Sequence, residues 1–424
     1  MEKTVAPLAA AIFVIALAVI ALEWVHRTKV ALVGAGLMVV LGVLAEEQAI
    51  EAIDWPTLGL LAGMMILVGL TERTGIFTYI ALRVAQLSGG SPLRLVFLLS
   101  GVTGLLSAFL DNLTAILLIV PITLLLADLL GISAVPLVLV EVIASNIGGT
   151  ATLIGDPPNI MIGSHVTQLT FVDFIVNLGP VALVTLTLVT AILYLVFRSQ
   201  LAISPERAAE ISRLDPARDV RESRYVKRSV AVLLGTIIAF FFHATLHLEP
   251  AVVALGGATI LLLVAGDDVE EALERVEWST IFFFLGLFVM VGGLEERGIV
   301  AEVADLLAEL TGGSRTGEGL AILWGAAGGS ALVDNIPFTA AMIPVVDQLA
   351  EGGEFDDANW WALALGACFG GNATMIAAAA NVAATGVLER SGQPISFGRF
   401  LVYGVPVTLV SLAIATVYLL LFQL

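Results

Sequence analysis

The sequence predicts an all-α polytopic membrane protein built from two inverted repeats, and three observations support this fold class. Of the 424 residues, 58% are hydrophobic and 13% are charged, whereas a soluble domain has about 25% charged residues. Apolar runs of roughly the length that spans a bilayer as a helix recur along the chain: Leu8 to Val25, Val30 to Ala45, Val181 to Phe197, Val230 to Phe242 with its flanks, and Leu401 to Leu424. The third observation is an internal duplication. We therefore expect the lipid bilayer to surround most of the chain.

The charged residues and the single cysteine exclude several other classes. The net charge is −18, and its acidic residues cluster in short loops, which we interpret as solvated charge. A surface this acidic argues against a nucleic acid partner. Because Cys368 is the one cysteine, an intrachain disulfide and a Cys-rich metal site are excluded. We expect no metal site and no organic cofactor.

The duplication is visible at an offset of 223 positions, where polar residues and glycines recur in register. Shared hydrophobicity alone would not preserve these residue types. The matched positions are Trp55, Thr57, Gly69, Glu72, Gly75, Ile76, Asp111, Asn112 and Pro121 in the first half and Trp278, Thr280, Gly292, Glu295, Gly298, Ile299, Asp334, Asn335 and Pro344 in the second. After a one-residue deletion, the stretch from Gly148 to Ile154 recurs as Gly370 to Ile376.

The repeat gives the domain organisation. Residues 1–197 form the first repeat, 198–228 a cytoplasmic linker and 229–424 the second repeat. Each repeat contains five crossings plus one hairpin, and an odd number of crossings inverts the second repeat relative to the first. With the linker inside, all but Lys3, Arg297 and Arg315 of the 19 basic residues lie inside, as the positive-inside rule requires. This places the chain in the cell (inner) membrane with both termini outside.

Each repeat contains a helical hairpin, in residues 93–130 and 320–349, with an Asp-Asn pair at its tip. The second hairpin reads as two arms of about 14 residues, or roughly 21 Å, which is shorter than the roughly 30 Å hydrocarbon core. We expect both hairpins to re-enter the membrane and return on the side from which they came.

After each hairpin comes an apolar helix that is broken in its middle, in residues 136–165 and 358–388. Paired glycines tolerate unwinding, and the Pro157-Pro158 pair cannot continue a helix interior. Unwound backbone at mid-membrane is tolerated where it lines a cavity, and matched broken helices in two repeats indicate a transporter site.

These segments supply oxygen and nitrogen groups suited to a small ion or polar substrate, with sodium or a proton as the coupling ion. The candidate binding residues are Asp111, Asn112, Thr114, Ser145, Asn146, Gly148, Gly149, Thr150, Asp156, Asn159, Asp334, Asn335, Gly370, Gly371, Asn372, Thr374 and Asn381. Asp111, Asp334 and Glu141 are the candidate proton carriers, because an intramembrane carboxylate costs at least about 2.5 kcal/mol and is by default functional. The alternative is structural, because Asp111, Asp156 and Asp334 could each cap a helix. Asp156 precedes a proline at the first helical position and is the one best suited to this role.

The hairpin tips SAFLDNLTAILLIVP and ALVDNIPFTAAMIP and the break SNIGGTATLIGDPPN resemble those of the ArsB/NhaD permease family of the ion transporter superfamily, close to the P-protein type. The resemblance covers essentially the whole chain. It implies an elevator-type transporter with a scaffold subdomain and a moving transport subdomain, assembled as a homodimer. In an arsenical pump an ATPase subunit would be a further partner.

The substrate stays open among three classes. Family members extrude arsenite or antimonite, exchange sodium for protons, or move anions. No Lys, Arg or His lies in the hairpin tips or in residues 141–159 and 367–381, which favours a neutral metalloid hydroxide or a bare cation over a dicarboxylate. We place arsenite efflux first and sodium–proton exchange second. An intramembrane aspartyl protease is a remote alternative, because Leu110-Asp111 and Val333-Asp334 lack its Tyr-Asp and Gly-x-Gly-Asp signatures.

Overall fold

The computed structural model describes residues 2–22, 24–211, 215–217, 220, 223–266, 269–350 and 357–424. Every regular element within these residues is an α-helix. The first half of the chain contains α1 (Glu2–Ala21), α2 (Arg27–Val40), α3 (Glu46–Glu51), α4 (Trp55–Glu72), α5 (Ile76–Leu87), α6 (Pro92–Leu110), α7 (Asn112–Leu130), α8 (Ala134–Gly149), α9 (Pro157–His165) and α10 (Phe171–Phe197).

A short helix, α11 (Pro205–Ile211), lies in the predicted linker, of which residues 212–214, 218–219 and 221–222 lie outside the described residues. The second half contains α12 (Ser223–Phe242), α13 (Pro250–Ala265), α14 (Val269–Leu273), α15 (Trp278–Glu296), α16 (Ile299–Thr311), α17 (Arg315–Leu332), α18 (Asn335–Ala350), α19 (Asp357–Gly370), α20 (Ala379–Arg390) and α21 (Phe397–Phe422). The order of long and short helices in α1–α10 thus recurs in α12–α21, while the inversion of the second repeat stays a prediction.

Seven of the described helices are long and apolar enough to cross a membrane. The prediction of an all-α chain with several membrane-spanning helices is confirmed. Local chemistry fixes where several helices begin. Asp54 caps α4 through its bond to the Thr57 amide. Gly75 and Gly298 precede the shorter helices α5 and α16 with left-handed φ angles of 74° and 75°. Such angles favour glycine, which explains why this residue recurs at the matched position.

The two halves are interleaved. Helix α2 packs along α15, and α4 packs along α13, so that partners come from different halves of the chain. Within each half, the first hairpin arm packs on the following interrupted helix, as α6 does on α8 and α17 does on α19. Across the halves, α7 contacts α20 and α18 contacts α9. The hairpin tips and the helix breaks of both halves consequently meet in one region.

The hairpin arms are longer than expected. Helix α17 has 18 residues, because Ser314 caps the Gly317 amide and α17 already begins at Arg315. Helix α18 has 16 residues. Both arms of the first hairpin have 19 residues and are long enough to cross. The expected arm length of 14 residues was wrong, so length no longer distinguishes re-entry from full crossing, and re-entry stays a prediction.

Candidate functional site

The first hairpin tip is a strained helix cap. Asp111 lies between α6 and α7 with φ 87° and ψ 154°, a region that costs a residue other than glycine about 1 to 3 kcal/mol. Its Oδ1 accepts a hydrogen bond from the Thr114 amide at 2.8 Å, and its Oδ2 accepts one from Thr114 Oγ1 at 2.7 Å. The side chain of Asp111 therefore caps α7, as the structural alternative anticipated.

The second tip is built differently. Asp334 Oδ1 accepts a hydrogen bond from the Ile336 amide at 2.9 Å, and Oδ2 accepts one from Arg27 Nη1 at 3.1 Å. This ion pair is largely shielded, with side-chain exposures of 25% for Arg27 and 8% for Asp334. The two tips match in sequence but not in electrostatics, because the carboxylate of Asp334 has a basic partner.

The sequence did not predict Arg27 as a site residue. The tips and breaks contain no basic side chain of their own, but Arg27 reaches the second tip from α2, 307 positions away in the chain. One signal was present in the sequence. Arg27 occupies the first position of α2, where the helix dipole disfavours a cation, so a partner elsewhere was to be expected.

Both tips contact the first interrupted helix through an asparagine. Asn112 Nδ2 donates to Asn146 Oδ1 at 3.2 Å, and Ser145 Oγ donates to the Asn112 carbonyl at 2.9 Å. From the other hairpin, Asn335 Nδ2 donates to Asp156 Oδ1 at 3.1 Å. The segment 145–156 is thus the meeting point of tips that belong to different halves.

A buried cluster of amides crosses between the halves at the same place. Asn146 Nδ2 donates to Asn372 Oδ1 and to Asn381 Oδ1, both at 3.0 Å. All three side chains are fully buried. Buried amides are tolerated when their hydrogen bonds are made within the protein. The amide of Asn146 serves both partners, whereas Asn372 Nδ2 has no hydrogen-bond partner among the described residues. The second break contributes to the site through this contact.

Asn159 and Asn381 close the two helix breaks. Asn159 Nδ2 donates to the carbonyls of Thr150 and Thr152 at 3.0 and 2.8 Å. At the matched position, Asn381 Nδ2 donates to the carbonyls of Gly371 and Thr374 at 2.7 and 2.8 Å. Carbonyls freed by each break are therefore bound by a side chain that lies further along the same segment. Both asparagines stabilise the unwound backbone.

Asp156 begins α9 but does not cap it. Its side chain makes no capping hydrogen bond; Oδ1 is turned towards Asn335 instead. Oδ2 has no hydrogen-bond partner of ordinary geometry among the described residues, and the thiol of Cys368 is its neighbour. The side chain is fully buried. Capping, the structural role that the sequence favoured for Asp156, is not what this geometry provides.

The matched spacing of the glycine pairs reflects helix packing. A Cβ on Gly148 would lie 2.2 Å from the Gly104 carbonyl oxygen, and one on Gly370 would lie 2.6 Å from the carbonyl oxygen of Ala327. Gly104 and Ala327 are themselves related by the offset of the repeat. These glycines let α8 approach α6 and α19 approach α17, which brings the breaks close to the hairpins.

The remaining candidates hold backbone. Thr150 Oγ1 donates to the Asn146 carbonyl at 2.8 Å, and Thr374 Oγ1 donates to the Ala331 carbonyl at 2.9 Å. A Cβ on Gly149 would lie 2.5 Å from the Gly155 carbonyl oxygen, so this glycine permits the sharp return of the first break. The hydroxyls of both threonines are used by the protein itself.

Glu141 lies apart from the tips. It is buried in the middle of α8, where its Oε1 accepts a hydrogen bond from Thr123 Oγ1 of α7 at 2.5 Å. Its Oε2 has no partner within the described part of the chain. Glu141 lines neither of the cavities at the tips, so the structure does not bring it together with the other candidates.

Two cavities meet at the tips. The inner cavity has a volume of about 40 Å³, and its walls include Arg27, Asp111, Asn112, Glu277, Thr280 and Asn335. The larger cavity, of about 430 Å³, is lined by His26, Val333, Asp334 and Val382 among others. Arg27, Leu113 and Ala379 line both. The Arg27–Asp334 ion pair therefore lies where the two cavities adjoin.

The tips of two hairpins meet two interrupted helices around buried polar groups, in a chain with many membrane-spanning helices. This arrangement defines a membrane transporter. The comparison with known families agrees. The chain belongs to the CitMHS family, described as citrate transporters, whose model matches residues 17–366. The resemblance to the ion transporter superfamily is confirmed.

Several relatives are also transporters by name. A protein of Mycobacterium bovis described as an uncharacterized transporter is 44% identical over 418 residues, covering 97% of each chain. The P protein of Mus musculus is 34% identical over 94% of this chain, which spans 58% of the P protein. The family description and the name of the Mycobacterium bovis relative indicate a transporter, which argues against the protease alternative.

Among solved structures, the crystal structure of the Alcanivorax borkumensis YdaH transporter, reported to have an unusual topology, matches with a TM-score of 0.57. The match covers 88% of this chain and 86% of the YdaH chain at 16% sequence identity. At this identity the match supports the fold alone.

Proposed function

We propose that this protein is an ion-coupled secondary transporter that exchanges a small cation, with sodium as the leading candidate, for protons. The observation that carries the proposal is the charge of the inner cavity. Asp111 and Glu277 lie on its wall, and Asp156 lies directly behind Asn335 and Pro157, which also line it. Arg27 compensates Asp334 and leaves the other carboxylates without a described basic partner. A cation would relieve their mutual repulsion.

The volume of the inner cavity favours the same class of substrate. About 40 Å³ has room for only one to three water molecules, so a bare cation with one retained water fits. Carboxylate and amide oxygens are the ligands that hard cations prefer, and Asp111, Asn112 and Asn335 supply them.

The proposal reverses the order of substrates favoured by sequence alone. The absence of a basic side chain in the tips and breaks favoured a neutral hydroxide or a bare cation alike over a dicarboxylate. The carboxylates on the wall of the inner cavity now favour the cation over the neutral hydroxide. The family description names citrate, but a tricarboxylate would add negative charge beside Asp111, Asp156 and Glu277 and far exceeds the inner cavity in size.

We assign the coupling role to Asp156. Both oxygens of Asp111 are bound to Thr114, and Asp334 is bound to Ile336 and Arg27. Asp156 alone among the three keeps an oxygen without a hydrogen bond in the described part of the chain. Asp156 lies behind the wall of the inner cavity, bonded to Asn335, and is the one of these three aspartates best able to take up a proton or a cation without first losing a hydrogen bond at that oxygen.

The remaining expectations belong to the same proposal. The protein would lie in the inner membrane with both termini outside, act as a homodimer and move a transport subdomain against a scaffold subdomain. An ATPase subunit would be required only for an arsenical pump. The homodimer and the elevator motion rest on the family resemblance.

Proton movement in proteoliposomes tests the proposal. The purified protein is reconstituted with a pH-sensitive dye inside the vesicles, and sodium, lithium, potassium or choline chloride is added outside. We expect proton movement with sodium or lithium but not with choline, and its loss in Asp156→Asn. Asp128→Asn is the matched control, because Asp128 is an exposed carboxylate on α7 away from the tips. Sodium-dependent uptake of citrate, or arsenite transport with no cation effect, would overturn the assignment.

A further inference from the structure

Arg27 has a position that helix chemistry does not explain. It is the first residue of α2, whose amino-terminal end carries partial positive charge and disfavours a cation. The cap of this helix is His26, whose Nδ1 accepts from the Thr28 amide at 3.4 Å. Arg27 does not contribute to this cap. Its guanidinium lies 5.0 Å from the centre of the Phe283 ring on α15, which holds it over the tips.

One oxygen of the Asp334 carboxylate is bound to backbone and the other to Arg27, so the ion pair can break while Asp334 stays in place. Its Oδ1 is fixed to the Ile336 amide at the start of α18, and only Oδ2 bonds to Arg27 at 3.1 Å. The tip itself is fixed by the backbone amide of Asn335, which donates to the Ala377 carbonyl of the second break at 3.1 Å. Asp334 can therefore exchange its basic partner while it stays in place.

The ion pair divides the two cavities. Asp334 lines the larger cavity, Asp111 and Asn335 line the inner one, and Arg27 lines both. The charged or titratable groups around the pair are His26 on the larger cavity, Glu277 with Asp111 on the inner cavity, and Asp156, which interacts electrostatically with Asp334. Arg27, Leu113 and Ala379 line both cavities, and Arg27 is the charged residue among these three.

We propose that Arg27 and Asp334 form an ionic gate between the two cavities, in which Arg27 acts as a tethered cation that the transported cation must displace from Asp334. The displacement rests on the proposed cation substrate, whereas the gate itself does not. Arg27 would also exclude cations that reach the tips without sufficient affinity for the Asp334 carboxylate, which makes it a residue that determines specificity.

Accessibility of the inner cavity tests the gate without any transport. In a Cys368→Ala background, Thr280→Cys places a thiol of similar size on the inner cavity, and Val382→Cys places one on the larger cavity. Each is reacted with silver ion, a thiol-reactive cation that is small enough to enter the inner cavity. We expect Thr280→Cys to react at least about tenfold faster when combined with Arg27→Gln, and at close to its original rate with Arg27→Lys, which keeps the charge. Val382→Cys should react at one rate in all backgrounds.

The outcomes separate the gate from the substrate. Equal rates for Thr280→Cys with Arg27 and with Arg27→Gln, in protein that elutes as a single peak, would overturn the gate. If Arg27→Gln does not fold, Asp334→Asn serves in its place and should also accelerate the reaction, because it removes the carboxylate that holds Arg27 between the cavities. Sodium, compared with choline, should accelerate Thr280→Cys only while Arg27 is present. If Thr280→Cys reacts faster with Arg27→Gln but sodium has no effect on its rate while Arg27 is present, the tethered-cation role is rejected and the gate is retained.

Discussion

Asn335 at the second hairpin tip donates a hydrogen bond of 3.1 Å to Asp156 in the first helix break, and this contact joins the two halves of the chain at the carboxyl group that we consider functional. Asp156 has no acidic equivalent, because the matched position in the second half is Ala378. One side of the site therefore differs chemically from the other.

The first prediction concerns Asp156 and Asp111. Asp156→Asn should lower cation-driven proton movement by more than about tenfold at every cation concentration. Asp111→Asn keeps a competent cap on α7 but removes one charge from the wall of the inner cavity, so it should mainly raise the cation concentration needed for half-maximal movement. Initial rates at matched amounts of protein in proteoliposomes measure both. Equal losses in the two variants would contradict the distinction between a capping and a coupling carboxylate.

The second prediction concerns Glu141 and Thr123. Glu141→Gln keeps the shape of the side chain and an oxygen that can accept from Thr123 Oγ1, so we expect transport within about twofold of the original. Thr123→Val removes the donor and should lower the free energy of unfolding by about 1 to 3 kcal/mol. Thermal unfolding in detergent and transport rates measure the two effects. A proton carrier would behave differently, since Glu141→Gln would then abolish coupling in well-folded protein.

The third prediction concerns Gly148. Gly148→Ala would place a Cβ 2.2 Å from the Gly104 carbonyl oxygen, and because the contact is with backbone we expect a cost at the upper end of the usual range for overpacking, about 3 kcal/mol. Gly36→Ala is the control, because no neighbouring atom lies within 4 Å of the place that its Cβ would take and alanine favours a helix. The melting temperature in detergent should fall sharply for the first variant and stay level or rise for the second.

The fourth prediction tests the inversion. Glu72 and Glu295 occupy matched positions at the ends of α4 and α15, and both are exposed. In a Cys368→Ala background, Glu72→Cys should react with a membrane-impermeant reagent only from the cytoplasm and Glu295→Cys only from outside. Intact cells and inverted vesicles give the two readings. Reaction of both from the same side would rule out inverted repeats.

The sequence predicted the fold class and the family resemblance because both depend on local patterns: apolar runs, paired glycines and residues repeated in register. The ion pair between Arg27 and Asp334 has no local pattern, since its partners are 307 positions apart and come from different halves. The capping expectation failed for a similar reason: Asp111 caps α7, whereas Asp156 makes no capping hydrogen bond to α9. Which carboxylate caps a helix depends on the direction of its side chain, and at Asp111 that direction follows from an unusual φ of 87°.

The interleaving of the halves has a consequence for biogenesis. Gly286 of α15 fits against the backbone of Ala31 in α2, so each of these helices completes its packing only against the other. About 250 positions separate them, and at about 5 to 20 residues per second the ribosome needs roughly 12 to 50 s to make that stretch. During this interval α2 is already synthesised and has no α15 to pack against. The nascent first half must therefore be held in the membrane by the insertion machinery or by lipid, and premature termination anywhere before α15 should leave a fragment that quality-control proteases remove.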